Sequence, residues 1–279
     1  MHALTTNDIR GLAVGEGCYT FLLNAQGRII ADANVFCLDN RILLDTEPET
    51  RSTVLSHIEE FTIADDAAAT DLSGGLMTLS IEGPTANHVL ESIGLTLPTA
   101  RYCIVECRSS WVAQMSTTGQ PGFLLFVPTE ARLSLISEIE NVGGTRGSAE
   151  DARTVRIENG KPRYGEEITA RFLALEVSQP HAISLHKGCY LGQEVVERVR
   201  SRNALSRVLM PVRFDSGSSA TPGVKLRDGD MRVGEIVSAL YSPLFGHWVG
   251  MAYIRTDVAR YGMILTFDSG RVTIADAAE

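Results

Sequence analysis

The part of the sequence that most constrains the fold is its last quarter. From Ser206 onward, short runs of alternating apolar and polar residues follow one another, separated by turn residues and without a convincing helical period. Such runs are typical of strands, and the turns Asp228-Gly229 and Asp268-Ser269-Gly270 are hairpin signals. The segment is therefore predicted to be a compact all-β module, either a barrel or a sandwich, with strands at 207–214, 231–238, 247–254, 262–267 and 271–275.

The residues before this module mix helical and strand patterns. An amphipathic helix is predicted after Pro48, because Val54, Leu55 and Ile58 recur at helical spacing. Strand patterns lie on both sides of it, at 18–24, 28–38, 41–45, 76–82, 101–115 and 122–127. This order predicts an α+β body. The predicted domains are accordingly residues 1–205 and residues 206–279.

Charge and hydropathy exclude several classes of protein. The chain has 25 basic and 34 acidic residues, a net charge of −9, and no run rich in Lys and Arg, so a nucleic-acid partner is not expected. No stretch approaches the ~18 apolar residues that span a bilayer, and MHALTTNDIR lacks the features of a signal peptide. We expect a soluble, cytoplasmic protein without a membrane partner.

The five cysteines do not form an obvious disulfide or metal framework. They are odd in number and scattered over a long chain, so reduced thiols are expected. Cys103 and Cys107 are the closest pair, but on the strand predicted there their Cα atoms would be about 13 Å apart. No metal site is predicted.

The densest cluster of reactive and conformationally special residues is HKGCYLGQE, residues 186–194. A helix is predicted to begin near Gly192, which would place Cys189 just before a helix amino terminus. The helix dipole and Lys187 would both favour the thiolate, the nucleophilic form of cysteine. A buried loop thiol beside a solvated lysine remains the alternative from the residues alone.

A second cluster contains alternating charges between Arg153 and Glu167. Arginine binds carboxylates and stacks on aromatic rings, which suits an anionic heteroaromatic ligand. The residues themselves favour a solvated, salt-bridged face. Asp32, which follows a predicted turn, would by itself be a solvent-facing strand residue.

These segments resemble a known family. KGCYLGQE at 187–194 resembles the signature of the YgfZ family of folate-binding proteins, which support iron-sulfur cluster assembly and repair. RIENGKPRYGEEI at 156–168 is similar to a stretch that this family shares with the glycine-cleavage T-protein, a tetrahydrofolate-dependent aminomethyltransferase. Collinear shorter matches extend over nearly the whole chain: TTND at 5–8, NAQGRIIAD at 24–32, IEGPTA at 81–86, TGQPGF at 118–123 and VGEIVS at 233–238.

The resemblance implies a fold, a cofactor and a set of site residues. The fold would be a T-protein-like, folate-binding α+β body of two similar lobes, closed into a ring with a C-terminal antiparallel β-barrel. The cofactor would be tetrahydrofolate or a related folate, contacted by Asp32, Arg156 and Lys187. Cys189 would carry redox or cluster-related chemistry. The rest of its loop would be Lys187, Gly188, Tyr190, Gly192, Gln193 and Glu194.

Two departures from the T-protein pattern bear on activity. Ala31 and Asp32 stand where the T-protein carries paired acids, and Gln120 and Leu124 stand at two further acidic positions. Methylene transfer that relied on those carboxylates would lose them. The chain also begins only four residues before TTND, so either the first lobe is pared down or its start is truncated.

The expected function is therefore that of an accessory protein rather than a classical enzyme. It would bind folate and support assembly, maintenance or repair of iron-sulfur clusters in client enzymes through Cys189, with iron-sulfur client or assembly proteins as partners. The alternative is a tetrahydrofolate-dependent aminomethyltransferase that uses Asp32 and Arg156. A pure binding module that recruits partner proteins also remains open.

Overall fold

A computed structural model describes residues 1–62 and 67–276. The chain forms two compact units. The first contains Met1–Leu22, Ala31–Ala149 and Ala182–Gly188, and the second contains Leu23–Ile30, Glu150–His181 and the residues from Cys189 onward. Because the chain passes between the units several times, the predicted division into 1–205 and 206–279 stays a prediction.

The first unit is built around two small sheets. One has the strand order β1-β2-β3, formed by β1 (Gly17–Leu23), β2 (Ile29–Leu38) and β3 (Arg41–Asp45), and the predicted helix follows as α1 (Arg51–Phe61). The other is antiparallel, with the order β4-β7-β6-β5. Its elements, in chain order, are β4 (Leu76–Glu82), α2 (Ala86–Ser92), β5 (Ile104–Cys107), β6 (Ser110–Ala113), β7 (Gly122–Pro128) and α3 (Arg132–Asn141).

The core of the first unit follows from the alternation in these strands. In β7, Phe123, Leu125 and Val127 are buried in one cluster, which also contains Leu90 of α2. The intervening residues Leu124 and Phe126 pack into a second cluster. This strand is therefore apolar on both faces, and GFLLFVP reads as a continuous apolar run for that reason.

The second unit combines helices with a closed barrel. α4 (Ala149–Glu158) and α5 (Gln193–Ser201) precede six antiparallel strands in the order β10-β11-β8-β13-β12-β9. The strands are β8 (Arg207–Phe214), β9 (Lys225–Asp228), β10 (Met231–Ser242), β11 (His247–Arg255), β12 (Ile264–Phe267) and β13 (Gly270–Ile274). The predicted barrel is confirmed, and the sandwich alternative is wrong.

Two details of the barrel differ from the sequence prediction. The prediction omitted β9, because Lys225-Leu226-Arg227-Asp228 presents a single apolar side chain and gives almost no alternation. That side chain, Leu226, is nevertheless fully buried in the barrel core. β10 also continues past the predicted end at 238, through a register shift between Ile236 and Ser238, to Ser242. A bulge of this kind interrupts the period of two on which the prediction depended.

No helix in the described parts of the chain is both long and apolar enough to cross a membrane.

Candidate functional site

Asp32 lies on β2 and is buried, contrary to the solvent-facing interpretation. The hydroxyl of Tyr19 on β1 donates a 2.6 Å hydrogen bond to its Oδ2 atom. Burial raises the pKa of Tyr19 well above its ordinary value, and the neighbouring Asp32 carboxylate raises it further. Tyr19 therefore keeps its proton at neutral pH and donates this hydrogen bond to Asp32. The pair fixes one orientation of this carboxylate.

A second carboxyl group, which sequence reasoning missed, lies on the adjacent strand. Asp45 on β3 is the register partner of Asn34 on β2, and Asn34 Nδ2 donates to Asp45 Oδ2 at 3.0 Å. Burial raises the pKa of Asp45 to about 6, the hydrogen bond from Asn34 opposes the rise, and Glu47 adds to it. Asn34 lies on the same face of β2 as Asp32, two residues away. The sheet thus carries a second acid, although not at Ala31.

The same unit contains a buried acceptor beside this sheet. Gln114 follows β6, and its Oε1 atom is buried without a hydrogen-bond partner among the described residues. Its backbone carbonyl accepts from the amide of Tyr102, whose side chain is one of the groups that raise the pKa of Tyr19. Carboxylate and amide oxygens are therefore among the polar groups in this part of the first unit.

Lys187 also belongs to the first unit. Its ammonium donates to the backbone carbonyls of His2, Thr5 and Asn7, at 2.5, 2.5 and 2.8 Å. Burial lowers its pKa to about 8, while Asp8 opposes that fall. The ammonium is engaged by the protein's own backbone, and the role of Lys187 as a folate contact stays a prediction.

Cys189 lies in an exposed loop that leads into α5 in the second unit. The helix begins at Gln193 after Gly192, as predicted. Gln193 Oε1 accepts from the amide of Tyr190 at 3.2 Å and closes the turn. Tyr190 is buried, which raises its pKa to about 12, and Glu194 occupies the first turn of the helix. The alternative of a buried loop thiol is therefore wrong, while a reactive thiol stays a prediction.

Two glycines fit this loop against the turn at 24–27. Gly192 has φ of +81°, and a Cβ atom there would lie 2.7 Å from the carbonyl oxygen of Asn24. Gly27 has φ of +70°, and a Cβ atom there would lie 2.8 Å from Cβ of Val195. Both positions require a left-handed backbone conformation and the absence of a side chain.

Arg156 on α4 is buried in an ion-pair cluster and does not lie on a solvated face. Its guanidinium contacts Glu167 at 2.8 Å and Glu166 at 2.5 Å, and donates to the carbonyl of Lys161 at 2.7 Å. Glu166 also pairs with Arg153. Glu167 is fully buried, and the guanidinium of Arg156 is its ion-pair partner. A contact between Arg156 and folate stays a prediction.

The second unit carries a groove that the sequence did not indicate. It has a cavity volume of about 190 Å³ and is open to solvent. Its lining residues are Phe172, Arg207, Arg232, Val233, Gly234, Glu235, Val237, Tyr253 and Arg255. Three arginines and one glutamate give the lining a formal charge of +2, in a chain whose net charge is −9.

An aromatic pair and an ion pair with a buried carboxylate lie beside this groove. The rings of Phe172 and Tyr253 stack with centroids 3.5 Å apart, and the guanidinium of Arg207 lies over Phe172 at 4.8 Å. Arg207 also pairs with the buried carboxylate of Glu176 at 2.9 Å. Such a planar cation held beside aromatic rings is suited to an anionic or heteroaromatic ligand. Arg207 and Glu176 are 31 positions apart in the sequence, so no local motif could have identified them.

The predicted site residues are thus divided between the units. Asp32 and Lys187 lie in the first unit, whereas Arg156 and Cys189 lie in the second. Within residues 1–62 and 67–276, no three His, Cys, Asp or Glu side chains are grouped so as to hold a metal ion.

Comparison with known proteins places this fold. The GCVT N-terminal domain matches residues 1–187, and the glycine cleavage T-protein C-terminal barrel domain matches residues 207–275. The chain belongs to the glycine-cleavage T-protein family. The T-protein part of the resemblance is therefore confirmed. Membership of the YgfZ branch stays a prediction.

Individual T-protein relatives are distant but nearly collinear with the chain. An aminomethyltransferase of Saccharopolyspora erythraea is 26% identical over 282 residues, covering 96% of this chain and 76% of its own length. A putative chloroplastic transferase of Arabidopsis thaliana is 23% identical, and the chain spans 63% of its length. The crystal structure of the glycine cleavage system aminomethyltransferase T from Bartonella henselae superimposes with a TM-score of 0.86 at 19% identity. That match covers 98% of this chain and 78% of the other.

Proposed function

We propose that the protein binds tetrahydrofolate or a related folate, and that this binding serves an accessory role toward iron-sulfur enzymes through Cys189. The observation that carries the folate part is the set of polar groups on a T-protein fold. The first unit offers Asp32, Asp45 and the unpartnered Gln114 Oε1, all of which accept hydrogen bonds when the carboxyls are ionised. A pteridine ring offers N–H donors, so its chemistry fits these acceptors.

A separate argument comes from the second unit, whose groove by itself suits the anionic part of a folate. The residues that line the groove have a formal charge of +2 and include the aromatic rings of Phe172 and Tyr253. A folate ends in an aromatic ring that carries glutamate carboxylates, so its charge and its ring both match this lining. Arg207 is the residue that we expect to contribute most, because its buried partner Glu176 and the ring of Phe172 fix its orientation. The bound cofactor would supply a carrier for one-carbon units.

The accessory role rests on the 187–194 segment. Cys189 is exposed. The resemblance implies that Ala31, Gln120 and Leu124 stand where the T-protein carries acids. An exposed thiol can reach a cluster or a protein thiol on another molecule, which a buried thiol cannot do. This combination favours a thiol-dependent accessory protein over transfer of an aminomethyl carbon.

Calorimetric titration tests the folate part. The full chain is titrated with tetrahydrofolate, and the variants Asp32→Asn and Arg207→Met are compared with Arg10→Met, which removes an exposed cation outside both sites. We expect both site variants to weaken binding by tenfold or more, because each removes a charged partner of the ligand, and the control to bind as the wild type does. The absence of wild-type binding would remove the folate proposal.

Complementation tests the accessory part. Cys189→Ser is expressed in a strain that lacks this gene, and the activity of an iron-sulfur enzyme is measured with and without oxidative stress. We expect loss of the complementing activity, with Cys103→Ser as a matched cysteine control. Full complementation by Cys189→Ser would refute the role of the thiol.

A second candidate function is that of a tetrahydrofolate-dependent aminomethyltransferase. It is favoured by the match to the T-protein family and by the retained Asp32, which Tyr19 holds in one orientation. Purified protein would then produce methylene-tetrahydrofolate from tetrahydrofolate and an aminomethyl donor. Turnover that depends on Asp32 and not on Cys189 would favour this candidate.

A further inference from the structure

The amino-terminal segment, residues 1–8, packs against the loop at 182–188, and both belong to the first unit. Thr6 Oγ1 donates to the carbonyl of Ala182 at 2.6 Å, and the amide of Ser184 donates to the carbonyl of Thr6 at 3.0 Å. Thr5 and Thr6 are fully buried. The conformation of the loop that leads into the cysteine motif therefore depends on a segment almost 180 residues away in the sequence.

Lys187 completes this contact with three backbone carbonyls, those of His2, Thr5 and Asn7, which we call the carbonyl cage. The oxygens lie 2.5, 2.5 and 2.8 Å from its Nζ atom. An ammonium has three N–H donors, which is one for each oxygen of the cage. Burying a charged group is unfavourable unless hydrogen bonds replace its water, and the cage supplies those bonds.

The shape of the carbonyl cage requires lysine. Three oxygens converge on one nitrogen atom within 2.8 Å. A guanidinium spreads five donors over a plane around three nitrogens, so it cannot donate to three such oxygens from one atom. Arginine would keep the positive charge at position 187 and lose the geometry, which separates a positioning role from an electrostatic one.

We propose that Lys187 is a positioning residue: by holding the carbonyl cage, it fixes the loop at 182–188 and thereby the backbone that continues into Cys189. The positioning role of the cage rests on the proposed function, because it matters for activity only if Cys189 is the functional thiol. The contact between the amino-terminal segment and the loop is independent of it.

Hydrogen exchange of the full chain tests the cage directly. Lys187→Met and Lys187→Arg are compared with wild type and with Arg10→Met, a control that removes an exposed cation from the chain just after the segment. The informative amides are those of Thr6, bonded to Phe21, and of Ser184. We expect both Lys187 variants to exchange at these amides at least tenfold faster, with wild-type exchange in the control and in the barrel strands.

Alkylation of Cys189, followed by mass spectrometry of its peptide, gives a second readout. We expect Lys187→Met and Lys187→Arg to change the alkylation rate of Cys189 at least threefold and by similar amounts. Wild-type exchange and alkylation in Lys187→Arg would refute the cage, because charge alone would then suffice. If Lys187→Met does not fold, as barrel exchange would show, Lys187→Gln replaces it; its shorter amide has two donors and should give an intermediate increase.

The outcomes distinguish this inference from the proposed function. Faster exchange in the Lys187 variants together with full complementation by Cys189→Ser would keep the carbonyl cage and remove the thiol role. Unchanged exchange in every folded Lys187 variant would refute the cage whatever the role of Cys189.

Discussion

Replacing Arg156 by Met should destabilise the protein far more than a change at a surface arginine. The substitution leaves the fully buried Glu167 without its 2.8 Å partner and deprives the carbonyl of Lys161 of a donor. Breaking a buried ion pair by removing one partner costs about 3–5 kcal/mol. The side chain of Arg153, which pairs with Glu166, is 38% exposed. We expect Arg153→Met to cost about 0–1 kcal/mol.

Urea unfolding at pH 7, followed by circular dichroism, measures both losses. The double variant Arg156→Met, Glu167→Gln also removes the carboxylate that has lost its partner. We expect this variant to be more stable than Arg156→Met alone. A loss below about 1 kcal/mol for Arg156→Met, well under the range for a broken buried pair, would refute the structural role of the cluster. Unchanged stability with weakened tetrahydrofolate binding would instead identify Arg156 as the folate contact that its sequence motif predicts.

Two further predictions concern carboxyl groups in the first unit. The folded pKa of Asp45, about 6, lies above its ordinary value of 3.8, so its contribution to stability is complete below pH 3.8 and is lost as pH rises to 6. In the wild type, the free energy of unfolding should therefore fall by about 3 kcal/mol across this range, because the pKa shift is about two units at 1.36 kcal/mol each. Asp45→Asn should abolish this fall, and an unchanged pH profile in the variant would contradict the reasoning. Burial opposes ionisation of Glu82, but hydrogen bonds from Ser80 and residues 117–118 outweigh burial and lower its pKa below the ordinary 4.5. Its stabilisation is present above pH 4.5 and lost as pH falls, so Glu82→Gln should cost about 2 kcal/mol at pH 7 and little at pH 3; an equal loss at both pH values would contradict this reasoning.

The sequence predicted most of the fold because its main signals are local. Each of the other barrel strands has at least two apolar side chains, whereas β9 has only Leu226. The place of β9 is decided by its pairing with β10 and β12. The start of α5 at Gln193 was also predictable, because a glycine before an amphipathic stripe is a local signal.

The polar sites were harder to predict because their geometry depends on distant residues. The sequence around Arg156 does not show whether its side chain is solvated or buried. Its contact with Glu167 in the folded protein decides this. Asp45 gains its raised pKa chiefly from burial on the strand that pairs with β2, and the hydrogen bond from its pairing partner Asn34 opposes the rise. The groove beside Arg207 likewise depends on Glu176 and on the stacked rings, which come from separate segments.

The close approach of the segments that contain Gly27 and Gly192 has a consequence for the design of chimeric proteins. Each glycine is required by atoms of the other's segment, although the two lie 165 positions apart. A replacement segment without glycine at position 192 would bring a side chain against the carbonyl oxygen of Asn24, and one without glycine at position 27 would bring a side chain against Val195. A chimeric protein built from this chain and a relative should therefore keep glycine at both positions.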